Sequence, residues 1–120
     1  MAPASSKRPP LSSATLHILL ALAGGNLHGY GIIKEVARNS DGHYKLGPGT
    51  LYDNLKKLMD AGLVSDAPPS KRKSSTKEED RRFYTLTKEG KDAQAAEVDR
   101  LQTVVSQARS RLREAKEGRA

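Results

Sequence analysis

Thr50, Asp53, Lys56 and Lys57 are the residues of this chain whose types and spacing suggest chemistry, and that chemistry is recognition rather than catalysis. On a helix they fall opposite a stripe of Leu51, Leu55 and Leu58, which recurs at four and three residues and is suited to burial. The outward side is small, hydroxylic and basic. A threonine hydroxyl can bond a base edge, its methyl can pack on a thymine methyl, and lysines attract phosphate. Gly49, beside Thr50, lets another molecule come close to the backbone. A helix of this design can lie in a DNA major groove.

Two neighbours are open to two readings each. Tyr52, at the edge of the leucine stripe, is either a half-buried core ring or a phosphate-contacting hydroxyl. Asp53 either accepts from a cytosine amino group or serves the helix surface and repels phosphate, and the surface role is favoured. Lys56 and Lys57 are read as phosphate contacts. Other chemistry is poorly supported. His17, His28 and His43 lack metal-ligand spacing, and no cysteine or carboxylate cluster joins them. No nucleophile motif or glycine-rich phosphate loop is present. The chain is therefore expected not to be an enzyme and to need no cofactor or metal. The absence of cysteine excludes disulfides and suits a reducing compartment, so a cytoplasmic location is expected.

The elements that must position this face can be read on either side of it. Pro48 suits a first helical turn and Gly62 the left-handed residue that ends a helix. A first helix is expected from Ser12 or Ser13, with Leu16, Leu19, Leu20 and Ala23 inward, stopped by Gly24-Gly25-Asn26. A second spans about 29–39 with Ile32, Ile33, Val36 and Ala37 inward, preceded by His28 as a cap or turn residue. Ser40-Asp41-Gly42 is a turn. After the third helix the period changes. Leu63–Ser65 and Arg82–Leu86 read as strands, with the charged stretch Asp66–Arg81 as a mobile hairpin tip. Lys71, Arg72 and Lys73 would sit there, beside the third helix, where they can meet phosphate or the minor groove.

Thr87 opens a last, long helix. Gln94, Val98, Leu101, Val105, Ala108 and Leu112 alternate at four and three residues, a narrow seam of the coiled-coil kind. A domain this small offers little to cover it, and a second copy of the chain is the economical cover. The fold class is thus mainly α with a small β-hairpin: a winged helix-turn-helix of three helices and a two-stranded wing, plus a long C-terminal dimerisation helix. The expected units are a flexible basic arm at 1–10, a DNA-binding domain at 11–87 and the dimerisation helix at 88–120, its end frayed. The dimer interface is assigned to Val98, Leu101, Val105, Ala108 and Leu112.

Charge agrees with a polyanionic partner. The 120 residues carry 21 Lys and Arg against 14 Asp and Glu, a formal net charge of +7. Nucleic acid and an anionic membrane surface both fit that balance. No apolar run approaches the roughly 18 residues of a membrane span, so no membrane association is expected. The arm has basic residues without an apolar segment behind them, unlike a secretory signal.

Four segments carry a family resemblance: His28-Gly29-Tyr30-Gly31-Ile32, Leu46-Gly47-Pro48-Gly49-Thr50-Leu51-Tyr52, Gly62-Leu63-Val64 and Arg81-Arg82-Phe83-Tyr84-Thr85-Leu86-Thr87-Lys88-Glu89-Gly90. In order and spacing, over about 11–90, they resemble the signature segments of PadR-family transcriptional regulators. The resemblance implies a winged-helix homodimer that binds a pseudo-palindromic operator in double-stranded DNA, usually as a repressor. It implies that the last helix makes much of the dimer interface. It also implies a small-molecule effector, commonly phenolic or drug-like, that releases DNA. Arg81 and Arg82 resemble positions where the family is basic. The stretch from Lys71 to Asp80 is longer and more charged than the usual wing, and the last helix resembles the subgroup with a single short C-terminal helix. The expected DNA-binding set is therefore Gly49, Thr50, Tyr52, Asp53, Lys56, Lys57, Lys71, Arg72, Lys73, Arg81 and Arg82. The competing reading is a winged-helix module that holds a protein or RNA without operator specificity.

Overall fold

A computed structural model describes residues 10–68 and 82–118. In chain order these form α1 (Ser13–Ala23), β1 (Leu27–His28), α2 (Gly29–Asn39), α3 (Pro48–Asp60), β2 (Val64–Ala67), β3 (Phe83–Leu86) and α4 (Lys88–Gly118). Each helix start has a local cause. The Ser12 hydroxyl accepts from the Thr15 N–H at 3.1 Å and caps α1. His28 Nδ1 accepts from the Gly31 N–H at 3.0 Å and caps α2, the role expected of it. Pro48 occupies the first turn of α3 behind Gly47, where its missing N–H costs nothing. α3 ends as its sequence suggests. Gly62 has φ +79°, and the N–H groups of Leu63 and Gly62 return to the carbonyls of Leu58 and Met59 at 2.9 and 3.0 Å.

The expected two-stranded wing, β2 paired with β3, is extended by β1 into a larger sheet. This sheet has three antiparallel strands in the order β1-β3-β2, with His28 opposite Phe83 on one edge and Ala67 opposite Phe83 on the other. β1 is two residues long, too short to show an alternating pattern, so Leu27 reads as loop in the sequence. β2 also begins and ends later than expected. Asp66 and Ala67 are strand residues paired with Tyr84 and Phe83, not the start of the tip.

The core gathers Ile18, Leu19, Leu22, Ile32, Val36, Leu51, Leu55, Leu58, Val64, Tyr84, Leu86 and Ala93. The expected face of α1 was rotated: Ile18, Ala21 and Leu22 are buried with Leu19, whereas Leu20 and Ala23 are exposed. α1 touches α2, α3, α4 and β3, and its sequence is apolar on nearly every side. A uniformly apolar helix has no phase to read. On α2, Ile32 and Val36 are fully buried, and Ile33 and Ala37 partly so.

A knot of contacts joins the end of α3 to the start of α4. The Thr87 N–H donates to the Leu63 carbonyl at 3.1 Å, its hydroxyl donates to the Gly62 carbonyl at 2.6 Å and accepts from the Gly90 N–H at 3.0 Å. Gly90 lies so close that an added Cβ would stand 2.1 Å from the Leu63 carbonyl oxygen. Ala93 and Glu97 continue the buried side of α4. The Glu97 carboxylate accepts a fork from Arg100 at 3.0 and 2.6 Å, and the Leu11 backbone adds a hydrogen bond. Arg100 first, with the Leu11 bond, holds the Glu97 carboxyl below its ordinary pKa against the opposing effect of burial. From Val98 to Gly118 no residue of α4 is buried.

Candidate nucleic-acid interface

Burial of Leu51, Leu55 and Leu58 fixes which way α3 turns, and that orientation leaves Gly49, Thr50, Tyr52, Asp53, Lys56 and Lys57 all exposed. Asn54, which the sequence reading missed, ties this helix down. Its Nδ2 donates to the Thr50 carbonyl at 2.8 Å, and its Oδ1 accepts from the Thr15 hydroxyl of α1 at 3.3 Å. Thr50 therefore stands at the outward start of a helix anchored from behind. Asp53 faces Lys57 at 3.5 Å, one turn along the same helix. Both are largely exposed, so the pair contributes little to stability. It does give Asp53 a lysine beside it, in keeping with a helix-surface role.

A second group lies beside this face, brought together from four elements. His28, Gly29 and Tyr30 of β1 and α2, Tyr52 of α3, and Arg82 and Tyr84 at β3 line an open cleft of about 570 Å³. Tyr52 is 51% exposed. Its hydroxyl reaches over Gly29, where an added Cβ would meet it at 2.2 Å. Tyr30 is 60% exposed, its ring parallel to that of His28 at 6.5 Å, and the Lys34 ammonium stands 5.4 Å from its centre. His28 is held in turn edge-on against Phe83 at 5.4 Å.

Arg82 grips Asp66 through Nε and Nη2, the latter at 3.0 Å, and its guanidinium lies 5.5 Å from the centre of the Tyr84 ring. The Asp66 carboxyl is held below its ordinary pKa by the hydrogen bonds from Arg82. Burial pushes the Tyr84 phenol up. A neighbouring groove of about 380 Å³ continues along α3, lined by Tyr52, Leu55, Lys56, Met59, Asp60, Arg82 and Tyr84.

Of the residues expected at the interface, the structure thus places the six of α3 on one outward side with Arg82 next to them. Lys71, Arg72, Lys73 and Arg81 lie outside the described residues. Tyr30, Asn54, Asp66 and Tyr84 were not singled out individually. Tyr30 and Tyr84 stand inside family-like segments, but nothing in the sequence says that these segments meet. Along α4, Val98, Val105, Ala108 and Leu112 are exposed and Leu101 is half-buried, with Val104 exposed beside them. Among the described residues no group of three or more His, Cys, Asp or Glu could hold a metal, and no helix is long and apolar enough to cross a membrane.

The model of the transcriptional regulator PadR-like family matches residues 18–96, more than half of the chain. No curated protein matches. Among solved structures, the chain is similar to a PadR family transcription regulator from hypervirulent Clostridium difficile R20291, with 23% identity and a TM-score of 0.69 over 84% of this chain and 99% of that one. It is also similar to a transcriptional regulator from Clostridium thermocellum, with 21% identity and a TM-score of 0.65 over 83% of this chain and 96% of that one. Bacillus subtilis PadR, solved in complex with operator DNA, is 25% identical with a TM-score of 0.58 over 73% of this chain and 47% of that one.

Proposed function

The chain belongs to the PadR-like family of transcriptional regulators, and on that premise we propose that this DNA-binding regulator is a sequence-specific repressor acting as a homodimer on a pseudo-palindromic operator. The observation that carries the reading is the outward side of α3, where Gly49, Thr50, Lys56 and Lys57 are exposed together on a helix pinned from behind. Thr50 and Gly49 would face base edges. Lys56, Lys57, Tyr52 and Arg82 would meet the backbone. The complex of Bacillus subtilis PadR with operator DNA, a protein of similar fold, supports the same use of this one. The exposed seam of α4 supports pairing with a second copy, which would set two α3 helices about 34 Å apart in successive major grooves. Its place of work would be the cytoplasm, with the chromosome.

Selection of bound sequences from random duplex DNA tests this directly. The expected result is one enriched sequence with two related half-sites, bound in preference to random duplex and more weakly as salt rises. Binding without any enriched sequence would leave a nonspecific module and sink the operator reading.

A further inference from the structure

We propose that the cleft between the start of α2, α3 and β3 seats one backbone phosphate of the bound DNA, with Tyr30, Tyr52 and Arg82 as its donors. This rests on the DNA-binding reading and adds a contact that the face of α3 alone does not supply. The chemistry of the lining is that of an anion site. Two largely exposed tyrosines, Tyr30 and Tyr52, and Arg82 line an opening of about 570 Å³. One carboxylate is close, Asp66, and Arg82 already engages it. Asp66 takes two of the five N–H groups of the guanidinium, the Met59 sulfur a weak third, and the Tyr84 phenol is a further partner, so a donor remains for an incoming phosphate. Asp66 thus positions the guanidinium and leaves it competent to bind.

Gly29 makes the seat possible. With no side chain there, the Tyr52 hydroxyl lies against the first turn of α2, where the Tyr30 ring runs parallel to that of His28 at 6.5 Å. Location selects a DNA phosphate over a free anion. Tyr52 belongs to the same exposed side of α3 as Thr50, and the groove beyond it carries Lys56 and Arg82. A strand whose bases met the start of α3 would bring its backbone toward this cleft, because Tyr52 belongs to both. Such a contact fixes register and carries no sequence information.

The test uses the full chain with a random-sequence duplex and with the duplex obtained by selection. Tyr30→Phe and Tyr52→Phe remove only the hydroxyls. Each should weaken binding to both duplexes by the same factor, about tenfold, as for a hydrogen bond to a charged group. Neither should change the salt dependence, whereas Arg82→Gln should lower its slope by about 1. Gly29→Ala should displace the Tyr52 hydroxyl and reproduce the Tyr52→Phe loss without lowering the melting temperature. If both phenylalanine variants bind within about twofold of the parent, the seat is wrong while DNA binding stands. A loss confined to the selected duplex would make the tyrosines base readers and overturn the proposal. An effect on binding of inorganic phosphate with none on duplex would assign the cleft to a free anion and overturn it too. A parent chain that binds neither duplex would remove the DNA-binding reading and the seat with it.

Discussion

Thr50 offers a hydroxyl and a methyl at the outward start of α3, and Asn54 holds that turn in place through its carbonyl. Thr50→Val keeps the shape and removes the hydroxyl, and it leaves the buried leucines untouched. The variant should fold and bind random duplex as the parent does. It should lose about 1–3 kcal/mol of preference for the selected operator, the usual size of a lost base contact, read from the two affinities measured side by side. Glu97 presents a different residue-scale test, because it is buried and its carboxyl pKa is lowered chiefly by Arg100. A lowered folded pKa stabilises the fold above the ordinary value of about 4.3, and that stabilisation is lost as pH falls through the folded pKa. Melting temperatures of the parent should therefore drop below about pH 4.3 by more than those of Glu97→Gln, which has no proton to take up there. Parallel melting curves for the two proteins down to acid pH would show that Glu97 does not couple folding to protons.

At the scale of the elements, what could be read from the sequence and what could not have separate physical causes. α3 was legible because its signals are local: a proline for the first turn, a left-handed glycine for the end, and leucines at helical spacing. The buried side of α1 was not, because an apolar helix surrounded by neighbours has no pattern of its own. β1 was too short to alternate. The cleft was invisible for another reason: Gly29, Tyr52 and Arg82 are far apart along the chain and meet only when α2, α3 and β3 fold together. The joint between α3 and α4 belongs to the same class. Gly90 reads only as a glycine in the first turn of the last helix, yet it is where the Leu63 carbonyl comes to 2.1 Å of an absent Cβ. The obstacle is backbone, so it cannot swing aside as a side chain would. Gly90→Ala should cost about 1–3 kcal/mol in denaturant unfolding, although alanine favours helix over glycine. A gain in stability would mean that the start of α4 shifts freely, and that the Thr87 hydrogen bonds do not fix it.

The molecule as a whole is a small winged helix with a lever. α4 is about 46 Å long at 1.5 Å per residue, and only Gly90, Ala93 and Glu97 along it are buried. Helices draw most of their stability from packing an apolar side, and beyond Glu97 no residue of α4 is buried by the described residues. Val105 is 42% and Leu112 70% exposed, both on the seam that the four-three spacing marks. A second copy would bury them. Changing both to Asp places charges that are harmless in a monomer and costly in a paired seam, where burying each unpartnered charge is strongly unfavourable. The double variant should stay folded by circular dichroism and sediment as a monomer at micromolar concentration, while the parent sediments as a dimer. Ser106→Asp, one residue off the seam, should remain dimeric. DNA binding should follow the assembly. A monomer meets one half-site, so the slope of log affinity against log salt should fall to roughly half that of the parent, because half the phosphates release counterions. A parent that sediments as a monomer, or a double variant that still forms the dimer, would detach the seam from assembly and leave the two half-sites of the proposed operator without a partner for each.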